Sequence, residues 1–213
     1  MDPKQLEHHR VETGANLSRG RHPGANRRGE TASNKDMKHT LIFIVMCLSL
    51  AAFGQEQKHP TDLRGVLLEQ LQTVHNQKDW FVPISVVVDG VTPEQANWTD
   101  GKGNHSVGQL IYHILYWNRR ALTEFKGEKP EKFSGNNEET FNNFDAKQWA
   151  ATVKELDQVM TDFEKAVQSA DEARLQKYAS LVDHVGAHTA YHLGEVVYVR
   201  REQGSWDPEK GVK

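Results

Sequence analysis

The chain is predicted to be all-α: a four-helix bundle with a long crossover between its second and third helices. Three observations predict this. Four stretches carry apolar residues at intervals of three and four over several turns. A polar connection from Lys126 to Asp145 separates the second stretch from the third, too long for a tight turn between antiparallel neighbours. No internal repeat, glycine-rich phosphate loop or Gly-x-Ser-x-Gly element points to another architecture.

Residues 1–36 are polar, rich in Arg, Gly, Asn and Glu, and lack apolar periodicity. Such a segment buries too little surface to offset its ordering entropy and reads as a disordered extension. Residues 37–54 read as a signal peptide. Lys38 and His39 form a short basic region, Leu41 to Phe53 an apolar run, and Ala52 and Gly54 the small residues before a cleavage site. The run is shorter than the ~20 residues of a membrane span. A lipoprotein reading would use Cys47, but Met46 stands where a small residue is required. A signal peptide behind 36 polar residues suggests that translation starts at Met37. The domain then runs from 55 to 213, is periplasmic or secreted, and keeps no membrane anchor after cleavage. Cleavage removes Cys47, the only cysteine, so disulfides, a thiolate nucleophile and cysteine zinc sites are excluded from the mature domain. A net charge of −3 gives no electrostatic footprint for nucleic acid.

The first helix follows Thr61, with Leu63, Val66, Leu67, Leu71 and Val74 on one stripe and Gln70 at its edge. Ile84–Val88 is rich in β-branched residues, so strand and helix are equally supported there. Thr92, Pro93 and Gln95 open a short helical turn that ends near Trp98. Ser106 and Gln109 form a capping box for the second long helix, whose apolar face includes Val107, Leu110, Ile111, Ile114, Leu115, Leu122 and Phe125. Within the crossover, Phe133, Phe141 and Phe144 interrupt polar sequence. The third helix is expected from Ala146 to Ser169 on Trp149, Val153, Leu156, Met160, Phe163 and Val167. The fourth is expected from near Ser180 to Gln203, stopped by Gly204 and Pro208.

The chemistry concentrates in that fourth helix. His184, His188 and His192 recur every four residues, so they stack on one face, and neighbouring imidazoles there can share a metal ion. On spacing alone, hydrogen-bonded core or edge histidines are the commoner reading, because His-x-x-x-His pairs arise often by accident. His113 lies beside the apolar face of the second helix. Together with His188 and His192 it would make a three-nitrogen site with a position open to water or substrate. Zinc, nickel, iron or manganese would suit imidazole ligands. Glu195 follows His192 by three residues and is a candidate catalytic base, fourth ligand or partner of a ligand. His184, Trp117 and Tyr191 are candidates to line or support the pocket. A His-Glu-x-x-His zincin is excluded because Thr189 follows His188, and the Glu-x-x-His pattern of di-iron bundles is absent at His113 and His192.

Ser106-Val107-Gly108-Gln109-Leu110-Ile111-Tyr112-His113 and His188-Thr189-Ala190-Tyr191-His192-Leu193-Gly194-Glu195, with Gly204 and Trp206 behind, resemble the DinB-like (DinB/YfiT-type) superfamily. The resemblance implies a bundle in up-down-down-up order, often homodimeric, with a divalent metal on His113, His188 and His192. Characterised members include thiol-dependent transferases and isomerases. Glu195 stands where many members carry Gln, and export would place the domain where thiol cofactors are scarce. Three functions follow as expectations. The first is a metal-dependent hydrolase or transferase acting on a small molecule. The second is a metal- or ligand-binding protein without turnover. The third is a bundle with inert histidines, in which His113 packs far from the other two.

Overall fold

The computed structural model describes residues 59–142 and 144–212; the expected extension and signal peptide lie outside the described residues. Among the described residues every regular element is helical and no helix is long and apolar enough to cross a membrane. Four helices are long: α1 (Leu63–His75), α4 (Val107–Phe125), α6 (Trp149–Ser169) and α7 (Glu172–Glu202). Three are short: α2 (Ile84–Val87), α3 (Pro93–Asn97) and α5 (Glu139–Asn142). Single 3₁₀ turns cover Ala146–Gln148 and Pro208–Lys210. Helices α1 and α4 each pack against both α6 and α7, which places the core among the four.

Local chemistry sets the boundaries. Both predicted capping boxes are present. The Ser106 hydroxyl accepts from the Gln109 N–H at 3.2 Å while the Ser106 N–H donates to Gln109 Oε1 at 2.9 Å, and Thr92 and Gln95 do the same for α3. Each α1 and α7 start has an aspartate: Asp62 accepts from the Gly65 N–H and Asp171 from the Arg174 N–H. Three arginines satisfy carbonyls at the far ends of other helices, where the helix dipole favours a cation. Arg64 donates to the carbonyls of Val167, Gln168 and Ala170 after α6. Arg174 donates to that of Phe125 at the end of α4, and Arg200 to that of Val87 at the end of α2. Gly204 adopts φ +73° directly after the Gln203 cap, which is why α7 stops there.

Three details differ from the sequence expectation, and the open choice at Ile84–Val87 is resolved. The fourth helix begins at Glu172, well before Ser180. The Asp171 cap and the buried Leu175 start it, so the polar residues before Ser180 form its first turns and the connection to α6 is only Ala170-Asp171. Ile84–Val87 is helical, its residues Ile84 and Val87 buried in the core. Ala146–Gln148 forms a 3₁₀ turn before α6 proper. Val66 is exposed, while Gln70 is packed over Gly186 of α7, where a Cβ would collide with the Gln70 side chain. The polar break in the α1 stripe is thus the point where α1 and α7 approach closely.

The crossover is anchored onto α4. Gly108, in the first turn of α4, has no room for a side chain because the Phe144 ring lies against it. Phe141, in α5, is buried. These contacts hold the connection over the middle of α4, next to His113.

Candidate metal centre

His113 comes from the middle of α4, and His188 and His192 from consecutive turns of α7. Packing of α4 on α7 turns all three rings to one point. His188 Nε2 lies 3.1 Å from His113 Nε2 and 3.1 Å from His192 Nε2. One ligand atom from each lies within 4.8 Å of the others. His113 and His192 are buried and His188 is half-buried. The expectation of inert, distant histidines is therefore excluded by geometry.

The partners of the other ring nitrogens fix where the protons sit. The Thr140 hydroxyl donates its one proton to the Asn137 carbonyl at 2.6 Å. Thr140 Oγ1 must then accept from His113 Nδ1, also at 2.6 Å. His113 is accordingly protonated on Nδ1 and presents a bare lone pair on Nε2. Glu195 Oε2 accepts from His192 Nδ1 at 2.6 Å, so in the neutral ring it is Nε2 of His192 that is bare. His188 Nε2 can carry at most one proton and so can satisfy only one of these two neighbours. At least one of the two 3.1 Å contacts therefore has no hydrogen bond across it. A cation at the centre removes that conflict, so the donor set fits a metal ion and does not fit a self-contained hydrogen-bond network.

Electrostatics support the same protonation state. Burial, aided by the neighbouring His192, His188 and His105, pushes His113 down to about 3. Burial and His192 push His188 down to about 4. Both rings are therefore neutral at ordinary pH, and each has one ring nitrogen free of a proton.

Each remaining candidate can now be placed. Glu195 sits behind His192, on the Nδ1 side away from the converging nitrogens, so it orients and polarises a ligand from the rear. Its charge, and a hydrogen bond to the phenol, raise the pKa of exposed Tyr191, whose ring meets His192 edge-on at 4.9 Å. Trp117 approaches His113 edge-on with centroids 6.3 Å apart. His184 is exposed; its Nδ1–H donates to the Ser180 carbonyl at 2.6 Å. Trp117 and His184 both line a cavity of about 470 Å³ whose floor is the three histidines.

Three residues were not predicted in their roles. Thr140 holds His113, as described. Phe141 stacks face to face on His113 at 3.8 Å, and His105 stacks on the opposite face of Phe141 at 3.9 Å. The three phenylalanines spaced through a polar connection were the available signal for Phe141, because a hydrophobic residue in such a segment needs a place to be buried. Thr140 carried no signal of its own.

A family model described as the DinB superfamily matches residues 84–196, more than half of the chain and the whole span from His113 to Glu195. No curated protein and no solved structure matches it.

Proposed function

Since the chain belongs to the DinB superfamily, we propose that it is a four-helix bundle in up-down-down-up order that holds one divalent metal on His113, His188 and His192 and acts on a small molecule as a metal-dependent hydrolase or transferase. The observation that carries the metal site is the convergence of three imidazole Nε2 atoms, two of them bared by hydrogen bonds to Thr140 and Glu195. Zinc, nickel, iron and manganese all suit three imidazole nitrogens. When bound, such an ion supplies Lewis acidity at the floor of the cavity. The chain's own residues do the rest. Thr140 and Glu195 hold Nδ1 of His113 and His192, Phe141 clamps the His113 ring, and Trp117 forms one wall of the cavity. The basic segment and apolar run before Gly54 support export to the periplasm or beyond.

A second reading is favoured by one specific observation. Among the described residues lining the cavity there is no carboxylate, and Glu195 is engaged behind His192. A protein that binds a metal and a ligand without turnover needs no such base. Turnover of aryl esters and related activated acyl or alkyl donors, compared between the metal-loaded protein and His188→Ala, separates the two. Activity lost in the variant supports the enzyme. Undiminished activity in His188→Ala refutes the metal's role in it, and binding without turnover across the panel favours the second reading.

A further inference from the structure

The cavity above the histidines narrows what the site can take, and this inference rests on the metal-site reading. Its volume of about 470 Å³ suits a small molecule. Trp117, Phe141, Leu181 and Val185 form its apolar walls, and Asn118, Asn137 and His184 are the polar side chains beside them. Among the described residues that line it, none is Asp, Glu, Lys or Arg. Charge lies elsewhere: Asp100, Glu195 and Glu202 line a separate cavity of about 420 Å³.

Two consequences follow from that partition. A carboxylate or ammonium on the body of a ligand would lose its water against these walls and find no partner of opposite charge, which is strongly unfavourable. At the floor the balance is reversed. Imidazole ligands bring no negative charge to a divalent ion, and the nearest carboxylate, Glu195, is spent on the back of His192. One anionic donor atom is therefore welcome there and nowhere else in the cavity.

We infer that the site takes a small hydrophobic molecule, aromatic in its body, with a single ionisable donor group at one end. Trp117 and Phe141 offer the ring faces and edges such a body packs against. Hydrophilic molecules with several charges, whatever their donor atom, are selected against.

Three hydroxamates that share one metal-binding head and differ only in body test this. They are benzohydroxamate, acetohydroxamate and the monohydroxamate of succinic acid. Each is titrated into the cobalt(II)-loaded protein and followed by the visible cobalt spectrum, with tryptophan fluorescence as a second readout. Benzohydroxamate is expected to bind about tenfold to a hundredfold more tightly than acetohydroxamate, the gain from burying its ring. The succinic compound is expected to bind most weakly. Leu181→Lys places a cation at a half-buried wall position, and is expected to narrow the gap between the succinic and benzoic compounds by at least tenfold. Equal affinities for the three ligands in the loaded protein, or tightest binding of the succinic one, would overturn this inference and leave the metal site standing. Failure of the protein to take up cobalt would overturn both.

Discussion

Thr140→Val removes one oxygen at almost constant volume and tests the role of the crossover in the metal site. The Thr140 hydroxyl is the acceptor for His113 Nδ1–H at 2.6 Å, and both residues are buried. The variant leaves two options. His113 can keep its Nδ1 proton without a partner, at a cost of ~1–3 kcal/mol for a buried unsatisfied donor. Or it can move the proton to Nε2, which removes the lone pair offered to the metal. The free protein takes the second option and metal binding must restore the first, so at ~1.4 kcal/mol per decade the expected loss is about fivefold to a hundredfold. Competition titration with a chromophoric chelator measures it, and long-range ¹H–¹⁵N spectra of the His113 ring report the tautomer directly. Thr140→Ser, which keeps the acceptor, is expected to retain most of the affinity. Wild-type metal affinity in Thr140→Val, alongside a clear loss in His192→Ala, would refute the claim that this hydroxyl sets the ligand's proton.

Other expectations follow from the same contacts. Glu195→Gln keeps an acceptor for His192 Nδ1 but removes the charge, so metal affinity should fall less than in Glu195→Ala; the Tyr191 phenol, raised by that charge, should titrate lower, as read by ultraviolet absorbance. His75 is a buried ring with Glu164 at 2.6 Å on Nδ1 and Asp157 at 3.0 Å on Nε2. Burial opposes its charge, but the two carboxylates outweigh burial and raise its pKa. The stabilisation is therefore complete below the ordinary value near 6.5 and is lost as pH rises through the higher folded value. Urea midpoints from pH 6 to 9 should show this decline, and His75→Gln should flatten it. Gly186→Ala drives a methyl into Gln70 and should destabilise the fold by ~1–3 kcal/mol. Gln70→Ala in the same chain should recover most of that, a coupling that a double-mutant cycle reads.

Helix existence was legible because burial follows period. The stripes of α4 and α6, from Leu110 to Phe125 and from Trp149 to Val167, are found in the core, with Val153 half-buried against it. The two capping boxes were legible because Ser106 with Gln109, and Thr92 with Gln95, bond within four residues of sequence. The start of α7 was not, since Glu172 to Lys177 holds a single buried apolar side chain, Leu175, and the period cannot be read from one point. Ile84–Val87 shows tertiary packing overriding β propensity. At the site, His188 and His192 are neighbours on one helix, so their spacing revealed them. Thr140 depends on the crossover folding back over α4, a contact between residues 27 apart in sequence that no local pattern encodes.

The central claim is that three histidines hold one metal ion. Metal content by mass spectrometry, on untagged protein and on His192→Ala, tests it most directly. Close to one equivalent of a divalent metal per chain in the wild type, lost in the variant, is the predicted result. No metal in either protein after incubation with zinc, nickel or manganese would contradict it, and would mean that the three converging nitrogens are reconciled by protons alone.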